Sequence, residues 1–143
     1  MLLRILIAIV AIGAMGLAAL AQTPEQNEAS RKATAERLIE GEKACSGCDL
    51  FQVDLSYQEF SGIDLSGARL RQADLSLSTF DKAKFAGANM SIVNGFGLRA
   101  EGADFSKVDF ADASLVGGWF GGSDFTSAKF DNANLSGSDF ETA

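Results

Sequence analysis

Two cysteines carry the most distinctive chemistry in this chain. They form a C-x-x-C motif, Cys45-Ser46-Gly47-Cys48, in a sequence of 143 residues that contains no other cysteine and no histidine. Such a pair can form a local disulfide, remain as two structural thiols, or take part in redox or metal chemistry. A zinc site needs about four ligands, so that only two copies of the chain could supply them from cysteine. A thioredoxin-like role would need a helix N-terminus and an α/β context that this sequence does not offer.

Carboxylates are the second possible source of chemistry. The chain has 19 Asp and Glu against 12 Lys and Arg, a formal net charge of −7. Paired carboxylates serve glycosidases as acid and base, but here they recur at regular positions and no pair stands apart. The absence of histidine excludes Ser-His-Asp and Cys-His catalysis as well as histidine metal sites. The sequence therefore predicts a protein that is not an enzyme, with no cofactor, no metal and no evident small-molecule substrate.

Residues 1–21 have the features of a secretory signal peptide. Arg4 is followed by an almost unbroken apolar run over residues 5–20, and Ala19-Leu20-Ala21 gives a small-x-small cleavage site. The alternative is an uncleaved membrane anchor, although the run is slightly shorter than the roughly 20 residues of a spanning helix. We therefore expect a periplasmic or secreted protein, attached to a membrane only if cleavage fails. An oxidising compartment favours the disulfide among the roles of Cys45 and Cys48.

A five-residue repeat occupies the second part of the chain. From Leu50 to Phe140, seventeen of the nineteen residues in this register are Leu, Phe or Met, and nine of the eleven Phe lie in it. The residue two positions earlier is mostly Ala or Ser, a polar residue stands between them, and Ser or Gly often follows. This period matches neither a helix nor a long strand. It indicates short extended segments separated by corners, whose small and large residues both point inward, in a stacked solenoid.

Individual repeats resemble those of a known family. Ala73-Asp74-Leu75-Ser76-Leu77 and Ala133-Asn134-Leu135-Ser136-Gly137 are similar to the repeats of pentapeptide-repeat proteins. The resemblance covers residues 48–142 and implies an all-β fold, a right-handed quadrilateral β-helix with four repeats per coil and almost five coils. Residues twenty apart would then stack, which would place Phe85, Phe105 and Phe125 in one internal column.

Several outward positions hold apolar side chains. If the four-sided winding is right, they form one contiguous surface, and such surfaces usually mark contacts with a partner. Its members, with a neighbouring arginine, are Tyr57, Leu77, Phe96, Arg99, Val116 and Trp119. Within it, residues 94–101 break the repeat, which predicts a bulge, a corner with altered packing, or a displaced loop offering Phe96 and Arg99. Leu98 is expected to fill the space that Ala100 leaves.

The two ends of the solenoid are expected to differ. Residues 22–47 form a leader in which a helix over 24–43 is predicted, with Thr23 as N-cap, Pro24 in the first turn and Gly41 near the end. Its weak apolar face would comprise Ala29, Ala33, Leu38 and Ile39, and would act as a cap or remain a mobile leader. No such element follows the last repeat, so we expect an end-to-end dimer contact at Phe140.

The most direct functional hypothesis is a non-enzymatic exported scaffold or interaction module that binds a protein partner or a second copy of itself. The family resemblance implies an alternative, because some bacterial members mimic DNA and engage type II topoisomerases. The signal segment and the basic residues within the acidic columns oppose that alternative. Binding of nucleic acid itself is not expected from an acidic chain.

Overall fold

The computed structural model describes residues 21–143, so the predicted signal peptide over 1–21 lies outside the described residues except for Ala21. One helix, α1, spans Pro24–Ile39. Thr23 is its N-cap, and its Oγ1 accepts a hydrogen bond from the Gln26 N–H while the Gln26 side chain accepts one from the Thr23 N–H. These reciprocal bonds satisfy backbone donors that the first turn leaves without partners. The helix ends four residues earlier than the predicted 43, before Gly41 at φ 115°.

The rest of the described chain winds as a repeat solenoid. Its β pairing consists of isolated parallel bridges between residues twenty apart, from Ala44↔Asp64 to Trp119↔Asp139. Every fifth residue forms such a bridge, so one turn of the solenoid takes four repeats. Four ladders of bridged residues follow, which we name by an early member. They are the Asp49 ladder (49, 69, 89, 109, 129), the Asp54 ladder (54, 74, 94, 114, 134), the Glu59 ladder (59, 79, 99, 119, 139) and the Asp64 ladder (44, 64, 84, 104, 124).

Each corner between ladders places its second residue in the left-handed region of backbone space. Nine of these positions are glycine, and eleven carry a side chain at φ between 55° and 60°. The first corner residue is held by a side chain on the preceding ladder, since Asp54 Oδ1 accepts a hydrogen bond from the Ser56 N–H at 2.9 Å. Asn89 Oδ1 accepts the equivalent bond from the Ser91 N–H at 3.0 Å. The polar residue of the repeat is therefore a turn cap.

The predicted inward register is confirmed by burial. From Leu50 to Phe120 all the residues at multiples of five are buried, including the glycine at position 95, and Phe rings stack twenty residues apart. The Phe85 and Phe105 rings lie 5.0 Å apart at 6°, and the Phe105 and Phe125 rings lie 5.0 Å apart at 9°. A second column pairs Phe60 with Phe80 and a third pairs Phe110 with Phe130. These stacked rings form an apolar core along the axis.

The helix packs against this core with only one residue of the predicted apolar face, Leu38. Ala35 and Leu38 are buried, whereas Ala29, Ala33 and Ile39 are exposed. Arg31 lies on the same face of the helix, four residues before Ala35, and reaches the first turn of the solenoid. Its Nη1 lies 3.6 Å from Asp49 Oδ2 and its guanidinium stands over the Phe51 ring. The face that meets the solenoid therefore comprises Arg31, Ala35 and Leu38.

The cysteines mark the beginning of the solenoid. Cys45 and Cys48 are joined by a disulfide, with Cα atoms 5.4 Å apart. Cys45 is buried at a multiple of five and its N–H donates to the Asp64 carbonyl, so the inward register extends back beyond Leu50. The first bridge is at Ala44, four residues before the predicted start at 48. The disulfide thus links the large and small inward positions of two successive repeats.

The irregular stretch 94–101 stays within the ladders. Asn94 and Arg99 both form bridges to the turns before and after them, so the predicted bulge and displaced loop are wrong and only the packing is altered. A Cβ on Gly95 would lie 2.8 Å from Leu115 Cδ2 and 3.5 Å from Leu98 Cδ2. Leu98 therefore helps to fill the space at Gly95, while its predicted role beside Ala100 stays a prediction. Leu98, at a position that usually holds Ala or Ser, thus supplies part of the side-chain volume that is missing at Gly95, where the repeat usually has Leu or Phe.

The turn caps predict how stability depends on pH. Hydroxyl and backbone N–H donors of the residue two positions on, the hydroxyl first, hold the pKa of Asp54, Asp64 and Asp124 below the ordinary 3.8. A lowered folded pKa contributes stability that is complete above the unfolded pKa and is lost as pH falls through the folded one. We expect the melting temperature to hold above about pH 5 and to fall below about pH 4.

The control for this pH prediction is Asp54→Asn, because an amide oxygen caps the same turn at Asn89. Thermal melts followed by circular dichroism should show that the melting temperature of this variant falls less at low pH than that of the unmodified protein. An equal decline would contradict the role given to Asp54.

Candidate docking surface

No metal or membrane site emerges from residues 21–143. They contain no cluster of three or more His, Cys, Asp or Glu able to hold a metal ion, and α1 is neither long nor apolar enough to cross a bilayer. A surface cavity of about 470 Å³ lies between α1 and the first turn and is lined by charged and apolar side chains, among them Arg31, Glu36 and Phe51. The pKa values of Asp54, Glu59, Asp64 and Asp124 are all lowered. A general acid would need a carboxyl whose pKa is raised, so these four do not form an acid–base pair.

The most unusual surface lies at one corner of the solenoid, between the Asp54 and Glu59 ladders. We call it the corner patch, and its members are Tyr57, Leu77, Phe96, Val116 and Trp119. The exposed fractions are 72% for Tyr57, 47% for Leu77, 53% for Phe96 and 56% for Trp119, while Val116 is half-buried. All five are among the residues predicted from the sequence to form a partner surface.

Backbone hydrogen bonds show that the corner patch is contiguous from turn to turn. The Tyr57 N–H donates to the Ser76 carbonyl, next to Leu77, and the Leu77 N–H donates to the Phe96 carbonyl. The Gly97 N–H in turn donates to the carbonyl of Val116. Adjacent turns of such a ladder are about 4.8 Å apart. The corner patch therefore follows four successive turns.

Glycine at position 97 helps to join the patch. A Cβ there would lie 2.7 Å from Leu77 Cδ2, so the Leu77 side chain lies over the bare backbone of the next turn. Trp119 enters the patch from the side, on the Glu59 ladder, directly after the corner formed by Val116 and Gly117. Leucine, phenylalanine and tryptophan side chains are thereby brought to one edge of the solenoid.

Arg99 stands at the rim rather than in the centre. Its Nε lies 3.0 Å from Asp81 Oδ2, and its second guanidinium nitrogen lies 3.5 Å from Glu101 Oε2. These ion pairs orient the guanidinium toward the neighbouring corner, where 81 and 101 lie one above the other. The Arg99 guanidinium thus points from the Glu59 ladder away from the patch. The five residues of the corner patch carry no charge.

Two members of the patch adopt a costly backbone conformation. Tyr57 has φ 58° and Leu77 has φ 55°, at corners where glycine is the most favourable residue. A bulky side chain in this region costs about 1–2 kcal/mol, and burial does not offset that cost for a side chain as exposed as Tyr57. Ile92, at φ 57° and 39% exposed, is similar, but it lies on the corner between the Asp49 and Asp54 ladders. Reasoning from the sequence missed Ile92, although its position in the repeat equals that of Tyr57.

This strain predicts the effect of glycine at two corners. Tyr57→Gly and Ile92→Gly should each raise the free energy of unfolding by about 0.5–1 kcal/mol, because both relieve a left-handed side chain. Urea denaturation measures the change. Destabilisation by more than about 1 kcal/mol in Tyr57→Gly would show that the tyrosine packs on the solenoid, contrary to its exposure.

The last described turn exposes a second apolar area. Phe125, Phe130, Leu135 and Phe140 are only partly buried and line an open cavity of about 280 Å³ with Ala143. Phe140 stacks on Phe120 with ring centroids 5.1 Å apart, so its inner side is already occupied. The end-to-end contact at Phe140 stays a prediction.

Comparison with solved structures gives several similar proteins. A pentapeptide repeat protein from the Arabidopsis thaliana thylakoid lumen is 29% identical over 65% of this chain and 65% of its own, with a TM-score of 0.47. QnrB1, a plasmid-mediated fluoroquinolone resistance protein, is 22% identical over 69% of this chain and 63% of its own, with a TM-score of 0.43. This chain thus covers slightly less than two thirds of each. Rfr23, a pentapeptide repeat protein of the cyanobacterium Cyanothece 51142, is 18% identical over 76% of this chain and 95% of its own, with a TM-score of 0.30.

The sequence comparisons agree with the repeat. No curated protein matches the chain. The family model for pentapeptide repeats matches eight copies over residues 59–94 and 103–141. These segments make up more than half of the chain and lie where the bridges twenty residues apart are found. On this match and this winding, the chain belongs to the pentapeptide-repeat family.

Proposed function

We propose that this protein is a non-enzymatic interaction module, exported from the cytoplasm, that holds another protein against its corner patch. The observation that carries the proposal is the row of exposed apolar side chains over four turns, two of them in a strained conformation. Large apolar side chains in contiguous exposed surfaces usually mark contacts, and tryptophan and tyrosine favour interface centres. Export rests on the sequence of residues 1–21 and agrees with the disulfide between Cys45 and Cys48.

The charge pattern supports this role over mimicry of DNA. A DNA-like surface would need continuous acidic columns, and cations interrupt both ladders on the other side of the solenoid. Arg69 and Lys129 lie in the Asp49 ladder, and Lys84 lies in the Asp64 ladder. Arg69 is paired with Asp49, with 3.8 Å between Nη1 and Oδ2.

Site-specific crosslinking tests the proposed function. A photoreactive amino acid is placed at position 119 of the full chain in its native cells, and for comparison at position 89, an outward position of the Asp49 ladder. We expect a discrete adduct from position 119 only, and its loss when Phe96→Ser and Tyr57→Ser are added. Circular dichroism should show that this variant keeps its fold. Equal adducts from both positions, or an adduct that persists without Phe96 and Tyr57, would contradict the proposal.

A further inference from the structure

The charges around the corner patch indicate what kind of partner it binds. The half of the solenoid centred on the patch comprises the Asp54 ladder, the Glu59 ladder and the corner between them. Its outward positions carry four carboxylates and one basic group. The carboxylates are those of Asp54, Glu59, Asp74 and Asp139, and the basic group is Arg99. Since Arg99 is already paired with Asp81 and Glu101, this half has no unpaired cation.

The other half has a different balance. It comprises the Asp49 ladder, the Asp64 ladder and the corner between them, and its outward positions carry five carboxylates and four basic groups. The basic groups are Arg69, Lys84, Lys107 and Lys129. Carboxylates therefore outnumber basic groups by three around the apolar patch and by one on the opposite side. The two remaining corners, with Lys82 on one and Arg71 on the other, carry five carboxylates.

The carboxylates border the patch closely. Tyr57 stands between Asp54 and Glu59 in the sequence, and Leu77 follows Asp74 after two residues. Trp119 is bridged directly to Asp139 on the next turn. Ser56 and Ser61 hydroxyl and N–H donors lower the pKa of Asp54 and Glu59, so both remain ionised at neutral pH. An apolar strip with anionic edges results.

We infer that the partner of the corner patch is a protein segment with an apolar stripe flanked by Lys or Arg side chains, such as a basic amphipathic helix. This inference rests on the proposed function. Cations along the stripe would pair with the carboxylates at both edges, while apolar side chains cover Leu77, Phe96 and Trp119. A second copy of this chain fits poorly, because a symmetric contact between two such patches would bring like charges together.

Three synthetic helical peptides serve as probes. The first has a leucine stripe flanked by lysines, the second has the same stripe flanked by glutamates, and the third has the lysines with serine in place of leucine. Trp119 is the only tryptophan in the chain, so its fluorescence reports binding at the patch. We expect the Leu–Lys peptide to shift the Trp119 emission and to bind about tenfold more tightly than either of the others, with affinity falling as salt is raised.

Variants of the protein distinguish binding at the corner patch from a general attraction of the basic peptide to an acidic protein. Tyr57→Ser with Phe96→Ser should lower the affinity for the Leu–Lys peptide about tenfold. Ile92→Ser, on the corner between the Asp49 and Asp54 ladders, should leave this affinity unchanged. Asp54→Asn with Asp74→Asn should weaken it roughly fivefold, since asparagine keeps the turn caps but not the charge. The matched control, Asp64→Asn with Asp104→Asn, removes two charges from the other half and should have little effect.

The outcomes distinguish the two proposals. Equal affinity for the Leu–Glu and Leu–Lys peptides would overturn the inference about a basic partner and leave the docking surface standing. Binding of the Leu–Lys peptide that is insensitive to Tyr57 and Phe96 would overturn the docking surface and the inference with it. Equal losses of affinity for the Leu–Lys peptide in the two Asp→Asn double variants would overturn the inference. They would show that the peptide is attracted to the whole acidic chain rather than to the carboxylates beside the corner patch.

Discussion

Replacing Phe105 with alanine is expected to lower the free energy of unfolding by about 3–5 kcal/mol, the largest effect of any single change considered for this protein. The Phe105 ring is fully buried, stacks between Phe85 and Phe125 at 5.0 Å on each side, and also contacts Phe110 and Phe120. Its loss leaves a cavity that the stiff ladders around it cannot close. Because each turn contacts only its neighbours, the damage should be greatest in the central turns.

The matched control is Phe96→Ala, a phenylalanine outside the inward register. Its ring is largely exposed, so we expect a change within about 0.5 kcal/mol. Denaturant unfolding followed by circular dichroism measures both variants. Similar losses for Phe105 and Phe96 would show that the five-residue register does not separate core from surface.

Replacing Leu38 with alanine is expected to cost about 2–4 kcal/mol in the stability of the docked helix. Leu38 is 2% exposed and, with Ala35, forms the apolar contact of α1 with the core. The other contacts of the helix with the solenoid include those of Arg31 with Asp49 and with the Phe51 ring, which are partly exposed and should each stabilise by about 1 kcal/mol or less. Without Leu38, the helix should detach well before the solenoid unfolds.

The neighbouring residue gives the control. Ile39 is 45% exposed, so Ile39→Ala should leave the docked helix almost unchanged. Hydrogen exchange at the amides of residues 27–40 reports the local opening of α1 directly. Equal protection in Leu38→Ala and in the unmodified protein would mean that the helix is held by other contacts.

The main features of the solenoid could be predicted from the sequence because its repeat is local and strict. A large residue every fifth position can be buried only if the chain turns a corner between repeats, and Phe85, Phe105 and Phe125 stack as that winding requires. The same reasoning placed Tyr57, Leu77, Phe96 and Trp119 on the surface, where the structure has them. The period fixes the inward and outward positions without any knowledge of distant contacts.

Features that depend on one particular contact could not be predicted in this way. The packed face of α1 includes Arg31, which meets Asp49 and Phe51 on the first turn, a contact that the apolar pattern of the helix does not encode. The left-handed conformation of Tyr57 and Ile92 also escaped prediction, because their side chains are of a type that normally avoids it. The filling of Gly95 by Leu98 depends on how two neighbouring repeats adjust to each other.

Fluorine NMR of the full chain, labelled at phenylalanine, tests most directly whether the corner patch is an outward docking surface on an inward-packed solenoid. With a soluble paramagnetic agent present, we expect the Phe96 resonance to broaden strongly while those of Phe60, Phe80, Phe85, Phe105, Phe110 and Phe120 stay sharp. Adding the Leu–Lys peptide should then protect Phe96 from broadening. Broadening of the six buried rings to the same extent as Phe96, or a Phe96 signal that the bound peptide leaves unprotected, would contradict the account.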